Sequence, residues 1–183
     1  MAKSKTDKRK ALDKLLTSLG AVIVIFLVVV GALAWWAYSF TSSNVKSELS
    51  SQKIYFPPKG SPELASPEIG PYLNKYAGQQ LLTGPQAKAY ANHFIAVHLS
   101  EVAGGKTYAQ VSAESLANPT NTTLKAEAQT LFQGETLRGL LLGDAYAFWT
   151  VGNIAQVAAI VCFVAAAVML LFVVLGLWHL STF

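Results

Sequence analysis

Two long stretches without a charged side chain constrain this chain more than any other feature. No Asp, Glu, Lys or Arg occurs in residues 15–45, and none in residues 145–183. The apolar centre of the first, residues 19–38, is twenty residues long. At about 1.5 Å rise per residue a helix of that length covers the roughly 30 Å hydrocarbon layer of a bilayer. Residues 21–30 (Ala-Val-Ile-Val-Ile-Phe-Leu-Val-Val-Val) leave no polar face, which argues against a helix lying in the interface plane. The densest part of the second stretch, residues 151–176, is long enough to span with some tilt. The expected fold class is therefore an all-α membrane protein, with two transmembrane helices flanking a small, mainly helical extracytoplasmic domain.

Composition agrees. Hydrophobic residues make up 52% and charged residues 13% of the 183 positions, against about 25% charged in an average soluble domain. The charge is also unevenly placed. Lys3, Lys5, Lys8, Arg9, Lys10 and Lys14 face only Asp7 and Asp13 in the first fourteen residues, so this short tail carries the whole net charge of +4. A basic segment abutting an apolar run is what the positive-inside rule and attraction to anionic lipid require. Nucleic acid is not an expected partner. Trp35, Trp36 and Tyr38 mark the far interface of the first span, and Trp149 and Trp178 the two interfaces of the second.

The resulting expectation is a cytoplasmic tail at 1–18, a span at 19–40, an outside domain at 41–147, a second span at 148–177 and a short cytoplasmic end at 178–183. A rival reading is a signal peptide cleaved after Ala32-Leu33-Ala34. The long apolar core and the two tryptophans that would follow the cut favour a retained span.

In the outside segment, residues 41–51 are serine-rich and read as a linker or a helix extension. Prolines at 57, 58, 62, 67 and 71 give residues 54–71 an extended and turning path, with one edge strand near Ile54. From Gly84 the apolar residues recur at helical spacing until Gly104-Gly105. A second helix is expected from Thr107 to Leu116. A third, capped by Thr120 or Asn121, should reach about Phe132, and a fourth should run from Glu135 into the second span. Cys162 is the only cysteine, so packing alone must hold the domain.

Gly139, Gly143, Ala147, Ala155 and Ala159 fall on a row of four-residue steps. Small residues four apart let a second helix approach closely, so this row is a candidate packing seam. Asn153 and Gln156 are intramembrane polar residues that would seek an interhelical hydrogen bond.

Signals for catalysis are few. His93 and His98 lie outside the membrane, but five residues of regular helix set them about 140° apart around the axis, too far to share one metal. His98 and Glu101 suit a surface pair. H-E-x-x-H, C-x-x-C, G-x-S-x-G and P-loop patterns do not occur. No catalytic, metal or cofactor residues, and no cofactor, are expected. Tyr72, Tyr76, Tyr90, Phe94 and Tyr108 could line a pocket.

The strings Trp35-Trp36-Ala37-Tyr38-Ser39-Phe40, Phe56-Pro57-Pro58-Lys59-Gly60-Ser61-Pro62, Lys75-Tyr76-Ala77-Gly78-Gln79-Gln80, Ala87-Lys88-Ala89-Tyr90-Ala91-Asn92 and Leu131-Phe132-Gln133-Gly134-Glu135-Thr136-Leu137-Arg138-Gly139 resemble a set of small actinobacterial two-span membrane proteins over most of the chain. Some of these carry an aromatic ring-opening dioxygenase label. The resemblance implies a bacterial plasma membrane and brings no functional residues with it. A non-haem iron site of the dioxygenase kind needs two histidines and a carboxylate on one face of the metal, which His93 and His98 on one helix do not offer. The expected role is a non-enzymatic accessory or scaffold protein with a membrane-protein partner or as a homo-oligomer. The alternatives are a sensor or small-ligand-binding module and a metal-dependent enzyme.

Overall fold

The protein is described by a computed structural model covering residues 2–182, with side chains from Lys8 to Thr182. Among these residues the architecture is all-helical, without strands. Helix α1 is Ala2–Gln52, α2 Pro62–Ala65, α3 Gly70–Leu73, α4 Gly84–Tyr90, α5 Ala96–Val102, α6 Tyr108–Ala117, α7 Thr122–Leu140 and α8 Phe148–Ser181. A 3-10 turn occupies Asn74–Tyr76, and π-helical turns occupy Ala91–Ile95 and Leu141–Ala147. The chain divides into two compact units. One holds the residues up to Phe40 and those from Gly152 on, and the other is Thr41–Val151.

The first unit is a helical pair. Both α1 and the helix entering α8 are long and apolar enough to cross a membrane, and only 11% and 17% of their most apolar windows are buried. A core helix of a soluble protein would be mostly buried. Here Ile25, Phe26 and Leu33 on α1, and Ile154, Leu171 and Phe172 on α8, are exposed. The two apolar helices point to a membrane location, where helices satisfy every backbone polar group internally.

What the pair buries is smaller and more polar than what it exposes. On α1 the withdrawn positions include 10, 13, 17, 20, 24, 27, 31, 34 and 38, and on α8 they include 152, 155, 159, 162, 166, 169, 173, 176 and 180. Steps of three and four alternate without a break, an average period of 3.5. That period keeps one stripe of each helix facing the other at a crossing angle of about +20°. The pair is antiparallel: a Cβ added to Gly20 would lie 2.9 Å from Val173 Cγ2, and one added to Gly176 would lie 2.7 Å from Thr17 Oγ1. Small residues allow this approach.

The row of small residues read from sequence does not stay on one stripe. Ala155 and Ala159 lie on the α8 seam, and Ala159 is fully buried. Gly139 and Gly143 have no atom within 4 Å of an added Cβ, and Ala147 is exposed. Four-residue steps drift by about 40° each at 3.6 residues per turn, and the π-helical turn at Leu141–Ala147 changes the phase between the two parts of the row. Asn153 and Gln156 are half-buried beside the seam. Trp35, Trp36 and Trp178 are exposed and Tyr38 is half-buried. Trp35 meets Tyr38 edge-on at 5.6 Å, and Trp36 stacks on Phe40 at 5.8 Å.

The second unit is a helical domain around Phe56, Leu64, Leu73, Leu81, Ala87, Val111, Leu131 and Leu141. The serine-rich residues 41–51 are the last turns of α1, with Thr41, Val45 and Leu49 buried at four-residue spacing. Lys53 ends the helix in the left-handed region at φ 54°, a position that glycine ordinarily fills. The expected edge strand near Ile54 is instead a single antiparallel bridge between Tyr55 and Gln80. The proline-rich segment turns through α2 and α3, each with proline in its first turn. Its side chains Phe56, Leu64, Ile69 and Leu73 are core.

The helix expected from Gly84 forms as α4, a π-helical turn and α5. Thr83 with Gln86, and Thr107 with Gln110, make capping boxes at α4 and α6. Asn121 caps α7, its Oδ1 accepting from Leu124 N at 3.1 Å. The third and fourth expected helices are one, α7, because Gln133-Gly134 does not stop it: Gly134 packs against the Leu99 side chain.

The 3.5-residue seam can be tested by overpacking. Ala159→Leu should destabilise the helical pair by about 1–3 kcal/mol, whereas Ala158→Leu, one residue away on an exposed position, should be near neutral. Denaturation of the two variants in the same detergent measures the difference.

Candidate functional site

The two π-helical turns both bear on the functional surface of the second unit. In the first, Ala96 N donates to Ala91 O, five residues back. The widened turn leaves that carbonyl open to a second donor, and Arg138 Nε of α7 reaches it at 3.2 Å. Arg138 Nη1 is held in turn by Glu135 at 2.8 Å. This links α7 to the strand-free helix that carries Asn92 and His93. The second π-helical turn carries Tyr146 and leads directly into Trp149 of α8. Gly84 at the start of α4 packs on Trp149 so closely that an added Cβ would lie 2.6 Å from Trp149 Cβ and Cγ.

Between these elements lies an open cleft of about 420 Å³. One wall is Pro71, Tyr72, Lys75 and Tyr76, the next is Pro85, Lys88, Ala89, Asn92 and His93, and the third is Tyr146 and Trp149. Its aromatic groups are arrayed face to face. The Tyr72 and His93 rings stack at 3.5 Å with 6° between their planes, and Tyr146 stacks on Trp149 at 6.2 Å. Its cations rest on aromatic faces. Lys75 Nζ is 4.8 Å from the centre of the Tyr76 ring. Lys88 Nζ is 4.6 Å from the centre of the Tyr146 ring and donates to its Oη at 3.1 Å.

No acidic residue is among the described residues that line the cleft. Lys88 lowers the Tyr146 phenol below its ordinary value of 10.0, first by donating to it and then by its charge. Burial pushes His93 below its ordinary 6.5. The site can thus offer flat apolar faces, a neutral imidazole near pH 7, an amide and two ammonium groups.

Of the aromatics expected to share a pocket, Tyr72 and Tyr76 line this cleft. Tyr90 and Phe94 stack on each other at 4.8 Å against the core, and Tyr108 sits elsewhere, 5.7 Å from Phe132. His93 and His98 are not brought together on one ligand. His98 Nδ1 lies 2.7 Å from Phe94 O and its ring packs on Phe94, in place of the expected partner Glu101. Among the described residues, no three His, Cys, Asp or Glu side chains group as a metal site would need. Lys75, Lys88, Asn92 and Tyr146 were not singled out by sequence. Lys75-Tyr76 was visible as neighbours, but Lys88 and Tyr146 are 58 positions apart. Comparison with protein-family models, curated proteins and solved structures finds no match for this chain.

The depressed His93 value has a sign. The unfolded chain binds the proton more readily, so stability rises with pH and is lost as pH falls below about 6.5. Tyr72, Lys75, Tyr76, Lys88 and Tyr146 share the cleft with His93, and the window from about pH 5.5 to 7.5 brackets the ordinary histidine value. Over that window the thermal midpoint of the domain should fall on acidification, and His93→Phe, which keeps a ring on Tyr72, should flatten the slope. Scanning calorimetry across the window reads both.

Proposed function

We propose that this protein is a non-enzymatic, membrane-anchored binding module of the bacterial cell envelope, with the cleft at Tyr72, Lys88, His93 and Trp149 as its ligand site. In this reading α1 and α8 cross the plasma membrane, both termini are cytoplasmic, and residues 41–147 lie outside. The observation that carries it is the cleft itself: an open concavity of about 420 Å³ with stacked aromatic faces and convergent polar groups, the combination expected of small-ligand sites. The expected accessory or scaffold role rests on the row of small residues, a compact outside domain and the lack of a catalytic pattern. Ala155 and Ala159 are occupied within the helical pair, so the cleft supports the ligand-binding alternative better. The basic tail and the resemblance to actinobacterial two-span proteins support the bacterial membrane and the orientation.

Native mass spectrometry of the full chain, extracted gently from its own membrane, tests the binding role. The wild type should carry a small-molecule adduct that Ala89→Trp, which fills the cleft, and Tyr72→Ala, which removes an exposed wall, both shed. The same adduct pattern in all three proteins would falsify the assignment.

Orientation is tested separately, on a Cys162→Ala background. An impermeant maleimide added to intact cells should label Lys59→Cys and spare Lys8→Cys, both at exposed positions. The reverse pattern would invert the topology, and labelling of both would exclude the two-span arrangement.

A further inference from the structure

Resting on the cleft as a binding site, we infer that its ligand bears a phosphate ester, held by the ammonium groups of Lys75 and Lys88, and that the source is an anionic phospholipid headgroup. The two lysines come from different walls of one cleft, the turn after α3 and helix α4. Each is poised on an aromatic ring rather than neutralised. The chain pairs some of its surface cations with carboxylates, Lys106 with Glu114 and Arg138 with Glu135. In the cleft it supplies a tyrosine face instead, and Lys88 donates one of its three hydrogens to Tyr146 Oη, leaving two to offer.

A concavity lined, among the described residues, by two ammonium groups and no carboxylate suits an anion. Toward phosphate a lysine acts as a compact point charge. Two ammonium groups in one site match the several oxygens of a phosphate better than a single carboxylate.

The flat walls narrow the carrier. Tyr72 on His93, and Tyr146 on Trp149, present ring surfaces that favour a ligand with an apolar or hydroxylated face over a bare ion. Trp149 belongs to α8 and stands two residues before the apolar stretch 151–176. Tryptophan and tyrosine at the head of such a stretch favour headgroup depth. On the membrane reading, the chain is anchored in a bilayer whose phosphates are a standing source.

Binding to the full chain in detergent decides this, using short-chain phosphatidylglycerol, short-chain phosphatidylcholine and glycerol 3-phosphate as probes. At roughly 1 kcal/mol per lysine near a membrane surface, the double variant Lys75→Gln/Lys88→Gln should bind phosphatidylglycerol about thirty-fold more weakly. Both lysines are exposed, and unchanged circular dichroism confirms that the variant folds. The wild type should prefer phosphatidylglycerol over phosphatidylcholine, and the variant should lose that preference. Full competition by glycerol 3-phosphate, with no gain from the acyl chains, would keep the phosphate and overturn the lipid source. Equal binding of both lipids by wild type and lysine variant, still abolished by Ala89→Trp, would overturn the phosphate inference while leaving the binding site standing. Binding of every probe unaffected by Ala89→Trp and Tyr72→Ala would remove the site and the inference together.

Discussion

Close approach of two helix backbones along a stripe of small residues is the interaction on which the first unit depends. Both helices are apolar around most of their circumference, so hydrophobicity alone cannot choose a contact face. Shape does. Gly20, Gly31 and Gly176 admit Val173, Phe163 and Thr17 into spaces where a Cβ would clash, and the alternation of three- and four-residue steps keeps the contact in register. In a lipid environment, where neighbouring chains are as apolar as leucine, such packing is what remains to hold helices together. The larger side chains, among them Phe26, Leu33 and Phe172, are left facing outward.

The second unit works under the ordinary rule of a buried core, but its functional surface depends on two departures from regular helix. A π-helical turn adds a residue to the spiral and redirects every side chain after it. At Ala91–Ile95 the extra residue opens the Ala91 carbonyl to Arg138, tying α7 to the element that presents Asn92 and His93. At Leu141–Ala147 it separates the phase of α7 from that of α8, which lets Leu141 and Ala145 bury in the core while Tyr146 lines the cleft. Such turns occur often at functional sites, and both here bear side chains of one cleft.

Features governed by local chemistry were legible in the residues. The two uncharged runs, the proline-directed path through 54–71, the glycine stop at 104–105 and the Asn121 cap each rest on a few neighbouring side chains. The Thr83–Gln86 and Thr107–Gln110 capping boxes are equally local, each set by two residues three apart. What was not legible depends on separation or on averaging. The seam period was hidden because α8 is apolar all round and a four-residue row of Gly and Ala is common in such helices. The π-helical turn at Ala91–Ile95 is coupled to Arg138, nearly fifty positions away. The cleft needs Lys88 beside Tyr146, across 58 positions, and one sequence contains no signal for that pairing.

The electrostatics of the cleft are set by two lysines and no acidic side chain among the described residues that line it. Two like charges in one open site repel only weakly, because water and salt screen them over about 10 Å. The arrangement is therefore tolerable without a counterion. It contributes little to folding either, since an exposed cation over a ring is worth about 0.5–1 kcal/mol, no more than the surface ion pairs made by Lys106 and Arg138. Lys106 has a carboxylate beside it, Glu114 at 2.8 Å, whereas no carboxylate is among the described residues that line the cleft. Lys75 and Lys88 instead keep their charge uncancelled on ring faces that also limit where the ammonium groups can go. That leaves a field of positive potential with fixed origin and flat apolar borders, which stabilises the free domain very little and becomes favourable when an anion enters.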